Sequence, residues 1–172
     1  MKKTNLSLKA LFVLVFLTLS TLTTFAQSPD YNGNWKLSKK QPLSGIDYAN
    51  SIPNQVNVQQ TGNSISIKRT TEVPGRADQV ASQTLTLDGK PNVVNAAADT
   101  KRTATIQWSN DQKSFTEHSI CTDPSKNDQL KYQITETWSL SADGHTLTIL
   151  KSFENPNNAE DKWSVKGEYT KE

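Results

Sequence analysis

The sequence has few of the residues that most often mark chemistry or a covalent framework. It contains one cysteine, Cys121, and two histidines, His118 and His145, in 172 residues. A single cysteine excludes an internal disulfide, and two isolated histidines give no metal-ligand spacing of the zinc type. It also lacks a Gly-x-Ser-x-Gly segment and a glycine-rich phosphate loop. We therefore expect no metal, no cofactor and no catalytic motif.

The same three residues do not make a nucleophile pair. His118 and Cys121 are three positions apart, so on a strand they point to opposite faces. His145 follows Gly144 and is expected to be a solvated turn residue. We expect Cys121 to be a small hydrophobic residue in the core; the alternative is a reactive thiol.

Long apolar runs are equally scarce, and the one present lies near the start, from Ala10 to Leu17. Three lysines and no acidic residue precede or adjoin it, and small and polar residues follow up to Ala26. This is the pattern of a secretory signal peptide over residues 1–26. The alternative, a membrane anchor, would need about 20 apolar residues. We expect cleavage after Ala26 and an exported protein, periplasmic or extracellular, that begins at Gln27 and carries no lipid because residue 27 is not cysteine.

Net charge is nearly absent from the remaining 146 residues, which hold 16 basic and 17 acidic side chains. That balance argues against a nucleic-acid partner or an anionic membrane surface. Leu, Ile, Val and Phe number only 25, but four Trp and four Tyr supply bulky core area. We expect one monomeric domain over residues 27–172.

Alternation of apolar residues with a period of two recurs after residue 27, whereas helical periodicity is almost absent. Residues 38–53 contain Pro42, Gly45 and Pro53 and are expected to form a long connection. Val93 and Val94 are too few to decide whether they form a further short strand. The clear alternating positions are Trp35 and Leu37; Val56 and Val58; Ile65 and Ile67; Leu85 and Leu87; Ala104, Ile106 and Trp108; residues 114–122; Leu130 to Leu140; Leu147 to Phe153; and Trp163, Val165 and Tyr169.

Most of these strands are joined by short turns, so neighbours in sequence are expected to pair as antiparallel neighbours. A meander of this length leaves two exposed edges unless it closes. The sequence therefore predicts an all-β, antiparallel up-and-down barrel of about 8–9 strands. An open sandwich is the alternative.

Residues 130–153 form a hairpin whose register can be predicted. A four-residue turn at Ser141–Gly144 would place Glu136 opposite Ile149 and diagonal to Lys151, on one face with the apolar residues of both strands. Two arrangements are open for this charged pair: an interior pair, or two charges at the barrel mouth. Glu117 is the other strand carboxylate expected to face inward, although a rim position is also open.

The segment Gly33-Asn34-Trp35, followed by the long connection, resembles the lipocalins and the small secreted bacterial proteins with a lipocalin-like (calycin) barrel. The resemblance implies a barrel that carries a small, mostly apolar molecule. It also implies that Trp35 plugs the closed end and that Gly33 permits close chain approach. In that family an arginine of the last strand packs across the tryptophan. Since no arginine follows Arg102, Lys162 or Lys166 would take its place.

On this basis we expect binding of a small apolar or amphipathic ligand inside the barrel, without enzymatic activity. Two alternatives are an interaction or adhesion domain with an exposed apolar patch and an enzyme with titratable groups, Glu117 and Glu136 among them, in the cavity. The candidate ligand-binding residues are Trp108, Phe115, Tyr132, Glu136, Trp138, Lys151 and Phe153.

Overall fold

The structure is a computed structural model that describes residues 29–48, 50–94 and 99–172. The predicted signal peptide lies outside these residues. Within them, no helix has the length and apolar character needed to cross a membrane. The strands are β1 (Gly33–Ser44), β2 (Gln55–Thr61), β3 (Ser64–Thr71), β4 (Gln79–Thr86), β5 (Asn92–Val94), β6 (Lys101–Trp108), β7 (Ser114–Asp123), β8 (Gln129–Leu140), β9 (Thr146–Glu154) and β10 (Lys162–Lys171), with one 3-10 turn at Pro124–Lys126.

All ten strands belong to one antiparallel sheet in the order β4-β3-β2-β1-β10-β9-β8-β7-β6-β5. Strands that follow one another in sequence pair, except β4 and β5, and β1 also pairs with β10, so that the first and last strands are neighbours. The sheet curls until β4 comes close to β5 and β6. The predicted up-and-down barrel is confirmed, and the segment around Val93 and Val94 adds the short strand β5.

The barrel is not fully closed, because no backbone hydrogen-bond ladder joins β4 to β5. Side chains cross this seam in its place. The Asn92 Oδ1 atom accepts a hydrogen bond from Thr86 N at 3.3 Å, and Asn92 Nδ2 donates to Thr86 Oγ1 at 3.3 Å. A seam held by side chains leaves part of the β4 edge without a backbone partner.

Strand β1 is longer than predicted, since it extends to Ser44 through part of the expected 38–53 connection. Beyond Lys36 it pairs only with β10, with register shifts after Leu37 and after Pro42. Pro42 is tolerated because this half of β1 has no second neighbouring strand that needs its missing N–H. Its residues are largely exposed, so the alternation that marks a half-buried strand is absent.

The strand directions divide the interior into two ends. The closed end holds the start of β1, the end of β6 and the start of β7, and the segment before β1 crosses it. The open end holds the end of β3, the starts of β6 and β10, and the end of β9. The inward side chains of successive strands alternate with exposed ones, and most of those toward the closed end are fully buried.

The β8–β9 hairpin has a register that differs by two residues from the predicted one. Ser141 N donates to Thr146 O at 2.9 Å, so the four-residue turn is Ala142–His145 rather than Ser141–Gly144. The Asp143 carboxylate fixes this position by accepting from Ser141 Oγ and from His145 N. The inward face is unchanged because a shift of two preserves parity, but Glu136 now lies directly opposite Lys151.

The connection between β1 and β2 folds over the open end; we call it the entrance loop (residues 45–54, of which residue 49 is outside the described part). Ile52 is buried against Gly167, where a Cβ atom would lie 2.5 Å from Ile52 Cδ1. The Tyr169 hydroxyl donates to Pro53 O at 2.9 Å, and burial raises the pKa of Tyr169. Gly167 therefore admits the loop into the barrel.

Candidate functional site

Aromatic side chains fill the closed end of the barrel. Trp35 is buried, and its Nε1 donates to Tyr31 O at 3.0 Å. Phe115 stacks on Trp138 at a centroid distance of 5.5 Å and meets the edge of Tyr31 at 5.0 Å. Because these rings pack against one another, we assign the closed end a structural role and not a ligand-binding one.

Tyr31 completes this plug from outside the sheet. It is fully buried, and its hydroxyl donates to Trp138 O at 3.1 Å. Burial raises the pKa of this phenol well above its usual value. Sequence reasoning missed Tyr31 because it precedes β1 and belongs to no alternating pattern.

A lysine crosses Trp35, but it is neither of the two predicted from the family resemblance. Lys171 Nζ lies 5.3 Å from the Trp35 ring centroid, whereas Lys166 pairs with Glu168 and Lys162 is exposed. Lys171 has this place because β10 pairs it with Trp35. Gly33, at φ +143°, makes room for it: a Cβ atom there would lie 2.6 Å from Lys171 Cε.

Above the aromatic plug, charged side chains point into the barrel. Glu117 and Glu136 are 1% and 3% exposed, so both carboxylates face inward and the rim position for Glu117 is wrong. Arg69 Nη2 donates to Glu136 Oε2 at 2.8 Å and to Glu117 Oε2 at 3.2 Å. One guanidinium thus joins both carboxylates.

Glu117 has further partners on both of its oxygens. Arg102 Nη2 donates to Oε1 at 2.6 Å, and Ser119 Oγ donates to the same oxygen at 3.0 Å. Gln83 Nε2 donates to Oε2 at 2.9 Å. A buried carboxylate with this many donors is fully paired, which offsets the cost of removing it from water.

Glu136 is paired unevenly. Its Oε2 accepts from Arg69 and from Trp138 Nε1, the latter at 3.2 Å, whereas its Oε1 lies 3.6 Å from Lys151 Nζ. Burial alone raises the pKa of Glu136, but the charges of Arg69 and Lys151 lower it more, and the net pKa is about 2. The carboxylate is therefore ionised over the physiological range.

Of the three cations in this cluster, Lys151 lies farthest from its carboxylate partner. Its side chain is 18% exposed, and burial is the largest cause of a pKa below the usual value for lysine. Glu136 raises this pKa, whereas Arg69 and Arg102 lower it by repulsion. The ammonium also lies 5.9 Å from the centroid of the Trp163 ring.

A cavity of about 700 Å³ opens beside these charges at the open end. Its charged lining consists of Arg69, Arg102, Glu136 and Lys151, and its apolar lining includes Pro53, Val80, Ala81 and Ile134. The wall is thus mixed: charges converge on one part, and apolar surface from the entrance loop, β4 and β8 covers another.

The seven predicted ligand-binding residues fall into three places. Glu136 and Lys151 line the cavity. Tyr132 and Phe153 lie toward the open end, where Phe153 is 5.3 Å from Tyr132 and stacks on Trp163 at 5.5 Å between ring centroids. The other three pack with Tyr31 at the closed end and do not line the cavity; they are Trp108, Phe115 and Trp138.

Arg69, Arg102 and Gln83 belong to the site and were missed from the sequence. Each shares the parity of inward apolar residues on its own strand: Ile65 and Ile67 precede Arg69, Ala104 and Ile106 follow Arg102, and Leu85 follows Gln83. That parity was the available signal, because a polar residue in register with a buried row points inward.

The remaining chemical candidates stay apart. His118 is exposed and contacts Thr135 on the outer face, whereas Cys121 is buried, so the two point to opposite sides as predicted. Burial raises the pKa of the Cys121 thiol. Over the described ranges, no cluster of three or more His, Cys, Asp or Glu side chains is placed to hold a metal ion.

Comparisons with protein-family models, with curated proteins and with solved structures found no match for this chain.

Proposed function

We propose that this chain binds a small, partly apolar molecule in the cavity at the open end of its barrel. The observation that carries the proposal is the division of the interior, with tightly packed aromatic rings at one end and a cavity of about 700 Å³ at the other. Small-molecule sites fall within about 300–1,000 Å³ and combine apolar walls with a few converging polar groups.

The mixed lining favours an amphipathic ligand over a purely apolar one. Pro53, Ala81 and Ile134 offer apolar contact, while Arg102 and Lys151 offer hydrogen-bond donors on the same cavity. A purely apolar ligand would leave these donors without partners, which lowers affinity.

A relationship to lipocalin-like (calycin) proteins is part of the same proposal. The up-and-down barrel, the glycine before Trp35 and a last-strand cation across that ring all support it. The proposal also includes export through the signal peptide of residues 1–26, which predicts that intact-mass analysis of the exported protein finds Gln27 first.

Binding is tested by titrating the purified protein with the neutral dye N-phenyl-1-naphthylamine while tryptophan emission is followed. We expect a saturable change at micromolar dye, with one dye per chain. Native mass spectrometry of protein purified from its own host should then show an added mass lost on unfolding. A broad panel of apolar and amphipathic compounds that leaves the emission unchanged would contradict the proposal and favour the interaction domain.

A further inference from the structure

Resting on the proposed function, we infer that the ligand carries one negative charge and that Lys151 is the residue that binds it. The inference comes from the charge balance and the hydrogen-bond partners of the groups around the cavity.

The charged cluster has one cation in excess. Arg69, Arg102 and Lys151 face Glu117 and Glu136 within 4 Å, and the pairs have residues in common, so the five side chains form one unit. Three positive and two negative groups leave a net charge of +1. In a largely desolvated site such a charge is costly, and a bound monoanion would neutralise it.

The carboxylates have little left for a cationic ligand. Both oxygens of Glu117 accept two hydrogen bonds each, from Arg69 and Gln83 on one side and from Arg102 and Ser119 on the other. Only Glu136 Oε1 lacks a close donor, and the nearest charge to it is the Lys151 ammonium at 3.6 Å. A second cation placed there would be repelled by that ammonium.

Lys151, in contrast, has donors to spare. Its Nζ lies 3.6 Å from Glu136 Oε1, and no acceptor among the described residues is within hydrogen-bond distance. An ammonium has three N–H donors, and this one borders the cavity. Arg102, with its side chain 21% exposed, borders the same space. An anionic group in the cavity would accept hydrogen bonds from Lys151 and Arg102. The apolar part of the same ligand would contact Ile134.

Two dyes that differ by one charged group test the inference. 1-Anilinonaphthalene-8-sulfonate is N-phenyl-1-naphthylamine with an added sulfonate, so both carry the same apolar rings. We expect the wild-type chain to bind the sulfonate dye more tightly than the neutral one, and each dye to displace the other. Lys151→Met should weaken sulfonate binding by roughly tenfold or more, as expected for one lost hydrogen bond to a charged group, and leave neutral-dye binding within about threefold.

The matched control is Lys68→Met, which removes an exposed lysine from the outer face of β3 beside Arg69. It should change neither affinity by more than about twofold. If Lys151→Met fails to fold, the preference of the wild-type chain between the two dyes decides, with Lys151→Arg expected to retain it. Equal or tighter binding of the neutral dye overturns this inference but not the proposed function; absence of binding by both dyes overturns both.

Discussion

Glu136 shows how a single buried charge makes stability depend on pH. Its pKa is about 2 in the folded chain against about 4.5 when unperturbed. A lowered carboxylate pKa contributes stability that is fully present above pH 4.5 and is lost as the pH falls toward 2. The unfolded state takes up the proton first in that window.

We therefore predict that the free energy of unfolding of the wild-type chain falls by about 2–4 kcal/mol between pH 5 and pH 2 on account of this group. Glu136→Gln should be less stable at pH 7 and lose less over the same window. Chemical denaturation at a series of pH values measures both. Glu160→Gln, in an exposed loop, is the control, and a pH dependence of the Glu136→Gln variant as steep as that of the control would contradict the prediction.

Trp35 is one of the largest fully buried side chains, so its removal should be costly. Its ring is buried between the segment before β1 and Lys171. Trp35→Ala should lower the free energy of unfolding by about 3–5 kcal/mol because a large cavity remains. Lys171→Met should cost about 1 kcal/mol or less, the range of an exposed cation–π contact. Urea unfolding separates the two, and a loss below about 1 kcal/mol for Trp35→Ala would show that the ring is not a plug.

At the scale of elements, the β8–β9 hairpin shows what a sequence predicts and where it stops. Alternation predicts the strand correctly and its inward face from Tyr132 to Leu140, whereas a register shift pairs Leu130 with Thr122 and takes it out of that row. The turn is harder, since Ser141–Gly144 and Ala142–His145 have similar turn residues and differ by one position. A one-position shift moves the register by two, and the choice depends on hydrogen bonds of the Asp143 side chain.

The site is less predictable than the strands. Arg102 reaches Glu117 from β6, the direct neighbour of β7, whereas Arg69 lies on β3 and reaches Glu117 only because the sheet curls into a barrel. The sequence shows that both arginines point inward, but it does not show which residues they contact. The resemblance to lipocalins gave Trp35 a role, yet the lysine across it follows from the β1–β10 register, which alternation does not encode.

The revised hairpin register yields a third prediction. Because Glu136 faces Lys151 in the barrel interior, a double-mutant cycle with Glu136→Gln and Lys151→Met should give a coupling above about 1 kcal/mol. The control cycle uses the exposed pair Lys101 and Asp128, which is closer, at 2.9 Å, yet solvated. It should give less than about 1 kcal/mol. Equal coupling in both cycles would place the interior pair in solvent.

At the scale of the whole molecule, the seam is the least secured part of the barrel. Strand β4 has one backbone partner, β3, and β5 has only three residues paired with β6. We predict that amide hydrogens of β4 and β5 exchange with solvent faster than those of β8 and β9, which have partners on both sides. Hydrogen–deuterium exchange resolved by NMR measures this, and similar protection in all four strands would contradict it.

The pairing of β1 with β10 also sets an order of events in time. Along Trp35–Ser44 the first strand has the last strand as its main partner. The Tyr31 hydroxyl likewise donates to the carbonyl of Trp138, which lies 107 positions later in the sequence. Such distant meetings are slow, because chain entropy is lost before the contacts form. The barrel therefore cannot close until β10 has been synthesised and has met β1. Late closure is compatible with the export proposed above, in which the chain would cross a membrane unfolded.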